Sequence, residues 1–138
     1  MNLRGVFLGI KYAVPVLRDY GGGSIISTAS ATGLVGRKGI AAYGGTKGGV
    51  VSLTMGAALD LAADNIRVNC ICPGMIYTGR AGAPPDNSEP PPDRKMPVPM
   101  ARYGSVREIA TAAVFLASDD SSYMTGVALP VDGGYVAE

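Results

Sequence analysis

The chain has 138 residues, 47% of them hydrophobic, with 20 glycines, 10 prolines, a mean hydropathy of +0.22 and a net charge of +1. This is a globular composition, large enough for one hydrophobic core, and its balanced charge supplies no field that would recruit a nucleic acid or an anionic membrane. With no histidine anywhere, the chain cannot assemble a Ser-His-Asp or Cys-His nucleophile, an H-E-x-x-H zinc site or an imidazole base, so proton chemistry falls to Tyr, Lys, Asp or Glu and no metal is expected.

Over residues 1–20, Leu3, Val6, Phe7, Ile10, Val14 and Leu17 recur at spacings of three and four, which predicts a helix ended by Gly21, Gly22 and Gly23. Residues 24–28 are short, β-branched and bounded by glycine, so they read as a buried strand, followed by a loop over 29–40. The longest helix is expected over 42–63, with Val50, Val51, Leu53, Ala57, Ala58 and Leu61 on its buried side. Residues 66–72 form the next strand, stopped by Pro73 and Gly74.

Cys70 and Cys72 lie two apart on that strand, so both side chains point to one face. Two thiols this close make no disulfide framework and read as a buried, reduced pair. Together with the lack of a bilayer-length apolar stretch or a signal-peptide core, they predict a cytoplasmic location.

Residues 84–99 hold seven of the ten prolines, which excludes a regular helix or central strand. The surrounding loop, 79–101, is expected to cover a substrate within a single domain spanning 1–138. Ser105 and Glu108 fit a capping box that opens a third helix, with Ile109, Ala113, Phe115 and Leu116 on its apolar face. Residues 127–131 form the last strand, closed by Asp132, Gly133 and Gly134. Alternation of helices and strands at this spacing predicts an α/β fold with a parallel sheet and helices on both faces. Any site would then lie beyond the carboxyl ends of the strands, at 28–30, 72–78 and 131–134.

Tyr43 and Lys47 are four apart on the long helix and so share a face. A phenol with a pKa of about 10 is a poor base at neutral pH; an ammonium about 4 Å away, at an effective dielectric of about 20, favours the phenolate by roughly 4 kcal/mol. One lysine is therefore enough in magnitude to make a tyrosine a usable acid/base. By itself the spacing also fits a solvated helical stripe.

The surrounding pattern narrows the choice. Ser30 precedes Tyr43 by thirteen residues, Asn69-Cys70-Ile71-Cys72-Pro73-Gly74 ends one strand, and Val131-Asp132-Gly133-Gly134 ends another. With Asn2-Leu3-Arg4-Gly5-Val6-Phe7, Gly23-Ser24-Ile25-Ile26-Ser27, Tyr43-Gly44-Gly45-Thr46-Lys47, Pro73-Gly74-Met75-Ile76-Tyr77-Thr78 and Thr125-Gly126, this series resembles the short-chain dehydrogenase/reductase family across nearly the whole chain. The resemblance implies the C-terminal catalytic half of a doubly wound, Rossmann-type sheet. It also implies an NAD(P)-dependent oxidoreductase that interconverts a secondary alcohol and a ketone, with the nicotinamide carrying the hydride.

By matching position, Tyr43 would be the general acid/base, Ser30 would hold the same substrate oxygen, and Lys47 would favour the Tyr43 phenolate while bonding the nicotinamide ribose. Asn2 would organise a water leading to Lys47, and Pro73, Gly74, Ile76 and Thr78 would seat the nicotinamide carboxamide. The resemblance also implies a homo-oligomer built on the two long helices, with Gly48, Gly49, Gly56, Ala57 and Ala58 permitting close approach. Thr46 stands where the family usually has Ser, and the four glycines flanking Thr46 and Lys47 each cost the helix about 1 kcal/mol relative to Ala.

The family's glycine-rich phosphate turn, and the residue that selects NAD or NADP, have no counterpart in these 138 residues. At 30 residues or more per βαβ unit, the corresponding half amounts to about 100 residues. Two readings follow: the catalytic half of an oxidoreductase, inactive without its phosphate-binding half, or a fragment without turnover that acts as an oligomerising interaction module. A small-molecule alcohol or ketone is the expected partner in the first.

Overall fold

A computed structural model of the chain describes residues 2–78 and 95–138. Most of the proline-rich loop therefore lies outside the described residues, and only 95–101 of it is seen. Helix α1 (Asn2–Asp19) leads into strand β1 (Gly23–Thr28), helix α2 (Ala41–Leu61), strand β2 (Ile66–Pro73), helix α3 (Val106–Ala117) and strand β3 (Ala128–Val131). The three strands form one parallel sheet in the order β1-β2-β3, with Thr28 opposite Ile71 and Pro73 opposite Val131. This is half of a doubly wound Rossmann-type sheet.

β2 is the central strand and decides the layering. Its side chains alternate between faces, so Ile66, Val68, Cys70 and Cys72 pack against α1 and α2. Arg67 and Asn69 face the other way, where the Arg67 guanidinium donates to the carbonyls of Leu116 and Ser118 at the end of α3. Asn69, fully buried, donates to the Met124 carbonyl and accepts from the Val127 amide, both at 2.9 Å. These bonds satisfy polar groups that burial would otherwise penalise, and they steer the chain into β3.

The predicted elements stand with small shifts at their ends. α1 buries Ile10 and Val14, with Val6 and Leu17 half-buried beside them. Phe7, expected on the same face, remains 50% exposed, because α2 covers only part of that stripe. α2 buries Val50, Val51, Thr54, Ala58 and Leu61, and the Thr54 hydroxyl satisfies itself on the Val50 carbonyl at 2.8 Å.

On α3, Leu116 is fully buried but Phe115 is 38% exposed, against expectation. Residues 109, 113 and 116 share one face, and position 115 is turned about 100° away from 116. The capping box forms as expected: the Glu108 amide donates to Ser105 Oγ at 3.3 Å and the Ser105 amide to Glu108 Oε2 at 2.7 Å.

Three of the four glycines around Lys47 answer the cost assigned to them; at Gly45 a Cβ would meet nothing within 4 Å. A Cβ on Gly44 would meet the Thr32 carbonyl at 3.0 Å, one on Gly48 the Gly33 carbonyl at 3.3 Å, and one on Gly49 the Leu3 side chain at 3.0 Å. α2 thus trades intrinsic propensity for close approach to the loop after β1 and to α1. Gly48, Gly49 and the buried Ala58 spend their small size inside the chain; Gly56 and Ala57 alone of the five line an outward-facing groove between α1 and α2.

Candidate active site

The parallel register carries the ends of β1 and β2 to the same edge of the sheet, where α2 begins. After Thr28, the Ala29 amide still donates to the Ile71 carbonyl at 2.8 Å, and the chain then turns. Ser30 caps the single helical turn Ala31–Gly33: its Oγ accepts from the Thr32 amide at 3.3 Å and bonds the Thr32 hydroxyl at 2.9 Å. The Ser30 side chain is therefore buried and fixed rather than a loose loop hydroxyl.

Tyr43 lies in the first turn of α2 and Lys47 one turn later. The Lys47 ammonium donates to the Thr28 carbonyl at 2.8 Å and lies 5.9 Å from the centroid of the Tyr43 ring. It is thus anchored between the end of β1 and the tyrosine. Thr46, at the family's usual serine position, turns its hydroxyl back onto the Tyr43 carbonyl at 2.8 Å.

Ser30, Tyr43, Pro73 and Gly74 line one cleft of about 190 Å³, whose wall is completed by Arg37 and Tyr135 among others. Tyr43 remains 43% exposed at its mouth. At Gly74 a Cβ would sit 2.6 Å from Asp132 Cα, so only glycine lets the exits of β2 and β3 pass this closely. The Asp132 carboxylate holds that turn by accepting from the Gly134 and Val136 amides at 2.9 and 3.0 Å. The described end of the proline-rich loop docks on the same turn, with the Met100 amide on the Gly133 carbonyl at 3.1 Å.

Ile76 is not in this cleft. Its side chain lines a neighbouring one of about 340 Å³, together with Arg102, Glu108 and Asp132. There the Arg102 guanidinium, and then the Ser105 amide, hold the Glu108 carboxyl down at about 2. The Ile76 backbone carries a different message. Gly104 bridges its neighbours, donating to the Met75 carbonyl at 2.9 Å and accepting from the Tyr77 amide at 2.8 Å, while among the described residues nothing engages the N–H and C=O of Ile76 itself.

Thr78 is exposed and ends the first described stretch. Asn2 is exposed at the first position of α1, and among the described residues no hydrogen bond connects it to Lys47. The arrangement thus brings Ser30, Tyr43, Lys47, Pro73 and Gly74 together and leaves Asn2 and Thr78 apart from them.

Beneath the cleft, Cys70 and Cys72 are buried and free. The hydrogen bond that Cys72 makes with Cys70, reinforced by burial, pushes the Cys72 thiol far above its ordinary range, so it stays protonated and is no nucleophile. Sequence reasoning did not place Arg37 or Tyr135 at the cleft, whereas Met75 falls within the strand end 72–78 expected to border a site. Tyr135 follows directly on Asp132-Gly133-Gly134, and that adjacency to a strand end was the available signal.

The enoyl-(acyl carrier protein) reductase family matches residues 1–136. Levodione reductase of Leifsonia aquatica is 38% identical over 99% of this chain and 54% of its own length. Trans-4-hydroxycyclohexanecarboxylate dehydrogenase of Sinomonas cyclohexanicum is 44% identical over 99% of the chain and 50% of its own length. The crystal structure of acetoin dehydrogenase from Salmonella typhimurium superposes with a TM-score of 0.90 at 34% identity, covering 99% of this chain and 53% of that one. The chain spans about half the length of the relatives it matches.

Proposed function

The chain belongs to the short-chain dehydrogenase/reductase family, and from that premise we propose that its residues carry the acid/base half of an NAD(P)-dependent interconversion of a secondary alcohol and a ketone. One observation carries the reading: Ser30 and Tyr43 line a single cleft while Lys47, fixed by the Thr28 carbonyl, holds its charge over the Tyr43 ring. The relatives named as a levodione reductase, a trans-4-hydroxycyclohexanecarboxylate dehydrogenase and an acetoin dehydrogenase support a small alcohol or ketone as substrate.

A bound nicotinamide supplies the hydride acceptor or donor. In the oxidative direction the Tyr43 phenolate takes the hydroxyl proton as the carbon-bound hydrogen departs with its electron pair; in the reductive direction the Tyr43 hydroxyl returns that proton to the carbonyl oxygen. Ser30 Oγ accepts from the Thr32 amide, and with the Thr32 hydroxyl as the donor of their mutual bond the Ser30 O–H donates to the same substrate oxygen. Lys47 spends one of three donors on Thr28 and keeps two for a ribose hydroxyl.

The residues present fit a nicotinamide carboxamide. That group needs one acceptor and one donor, and the C=O and N–H of Ile76, which nothing engages among the described residues, supply both beside Pro73 and Gly74. Thr78, two residues on, is the proposed further contact. A second copy is the proposed partner, across a groove between α1 and α2 lined by Phe7, Leu53 and Ala57; Leu3, Met55 and Leu59 are further exposed apolar residues of the same two helices. The two free thiols favour a reducing, cytoplasmic setting.

The test is Tyr43→Phe in the protein expressed from its intact reading frame. Turnover is expected to vanish while NAD(H) or NADP(H) binding persists, and Lys47→Ala is expected to weaken both. A Tyr43→Phe rate above about a tenth of native, a barrier change under about 1.4 kcal/mol, overturns the acid/base assignment. Native protein with no nicotinamide-dependent turnover on any alcohol or ketone would favour the interaction module instead.

A further inference from the structure

The loop between Ser30 and Tyr43 places two cations, Arg37 and Lys38, between Gly36 and Gly39, the latter with φ of 85°. Only Arg37 reaches the cleft that holds Ser30 and Tyr43, and it is the one ionised side chain among the residues lining it. Among the described residues no carboxylate lines that cleft. Asp132, three residues before the wall residue Tyr135, has both oxygens taken by backbone amides, and Glu108 is paired with Arg102 in the neighbouring cleft.

Among the described arginines, Arg18 pairs with Asp64, Arg67 bonds carbonyls around the end of α3, and Arg102 bonds Glu108, while none of these three, nor Arg4 or Arg107, lines this cleft. Arg37 has no ion pair or hydrogen bond among the described residues. An exposed guanidinium lining the same cleft as the two hydroxyls that would hold a reacting oxygen, with no counter-charge there among the described residues, has the fork geometry and charge for a carboxylate.

We propose that Arg37 is a specificity-determining residue that binds a carboxylate on the substrate, so that the site prefers a hydroxy acid or oxo acid to the neutral alcohol or ketone of the same skeleton. The inference rests on the oxidoreductase reading above. Ser30 and Tyr43 hold the reacting oxygen and Arg37 the anion within the same cleft, which orients the substrate as well as selecting it. A uniform contact of this kind acts mainly on KM, and loss of orientation adds an effect on kcat.

The test uses the protein expressed from its intact reading frame and two substrate pairs: 3-hydroxybutanoate with its methyl ester, and 4-hydroxycyclohexanecarboxylate with its methyl ester. The native protein is expected to favour the acid over the ester at least about tenfold in kcat/KM for a pair it accepts. Arg37→Gln should lower kcat/KM for the acid by about 100-fold, with the ester within about threefold of native, and Arg37→Lys, which keeps charge but not the fork, should fall between.

Butanoate should inhibit the native protein competitively and Arg37→Gln far more weakly, whereas butanamide should not distinguish them. Because the ester is turned over without Arg37, its rate also certifies that the variant is folded. Equal use of acid and ester, unchanged in Arg37→Gln, overturns the assignment while leaving the oxidoreductase reading intact. Turnover of a neutral alcohol or ketone with none of either acid overturns the assignment alone, and absence of Tyr43-dependent turnover on any alcohol, ketone or acid overturns both.

Discussion

Gly33→Ala perturbs the contact that relates Ser30 to Lys47. A Cβ on Gly33 would sit 2.7 Å from the carbonyl carbon of Lys47, 2.9 Å from its oxygen and 2.9 Å from the Gly48 amide nitrogen. All three are backbone atoms of α2, so no side-chain rotation relieves the contact. Ordinary carbon contacts lie at about 3.5–4.0 Å, so the loop and the helix must part by roughly 0.8 Å or more. Overpacking of this kind costs about 1–3 kcal/mol. A displacement of about 1 Å between groups that act on one reacting atom costs about 100-fold in rate.

Gly33→Ala should therefore lose about 1–3 kcal/mol in denaturant unfolding and about 100-fold in kcat/KM with an accepted alcohol. The control is Gly36→Ala on the same loop, where a Cβ meets nothing within 4 Å, and which should leave both quantities close to native. If Gly33→Ala retains stability within about 0.5 kcal/mol and a rate within about threefold of native, the close approach of α2 to this loop does not set the site.

Two further outcomes follow from the ends of the molecule. The Glu108 carboxyl is held at about 2, below the ordinary 4.5, by Arg102 and the Ser105 amide, so its stabilisation is fully present above about 4.5 and is lost as pH falls toward 2. The pair is about two-fifths exposed, so the gain is small; Glu108→Gln should flatten the stability difference across that window, and unfolding curves that stay parallel from pH 6 to 2 would refute it. Phe7→Asp places a carboxylate in the exposed groove between α1 and α2, and sedimentation velocity at micromolar concentration should show a shift from dimer to monomer with the circular dichroism unchanged; an unaltered sedimentation coefficient would exclude this face.

The parts of the fold that sequence makes legible are those where one local rule acts alone. The capping box at Ser105 and Glu108 is a three-residue hydrogen-bond pattern and forms as written. The stripe ending in Ile10 and Val14 buries because helical spacing puts it on one face. α2 is harder to read, because apolar and small residues run all around it and its orientation is set by glycines that fit the loop after β1 and α1. That is a tertiary property with no local signature. The same holds for the site. Tyr43, Lys47 and Ser30 stand out through the motif series that resembles the family, whereas Arg37 belongs to none of those motifs and lines the cleft by virtue of the tertiary fold. The free backbone of Ile76 follows from a bridge to Gly104, twenty-eight residues away.

The carboxyl edge of the sheet explains why residues so far apart converge. Parallel pairing sets Thr28 level with Ile71, so the chain leaving β1 at Ser30 comes up beside the chain leaving β2 at Pro73 and Gly74. A helix that follows a parallel strand must start at this edge and run back along the sheet, which puts the first two turns of α2, and hence Tyr43 and Lys47, at the same place. A slip of one residue in the β1–β2 register would move Ser30 by about 3.3 Å and turn the strand's side chains to the opposite faces. Ser27 and Ala29 would leave the positions where they are buried, so core burial enforces the register that the chemistry needs. The hydrogen bond from Lys47 to the Thr28 carbonyl then ties helix to strand end at the point where both contribute to the cleft. Lys47 is thus a brace of the fold before it is a charge in the site, and its effects on stability and on turnover should be inseparable in any substitution that removes the ammonium.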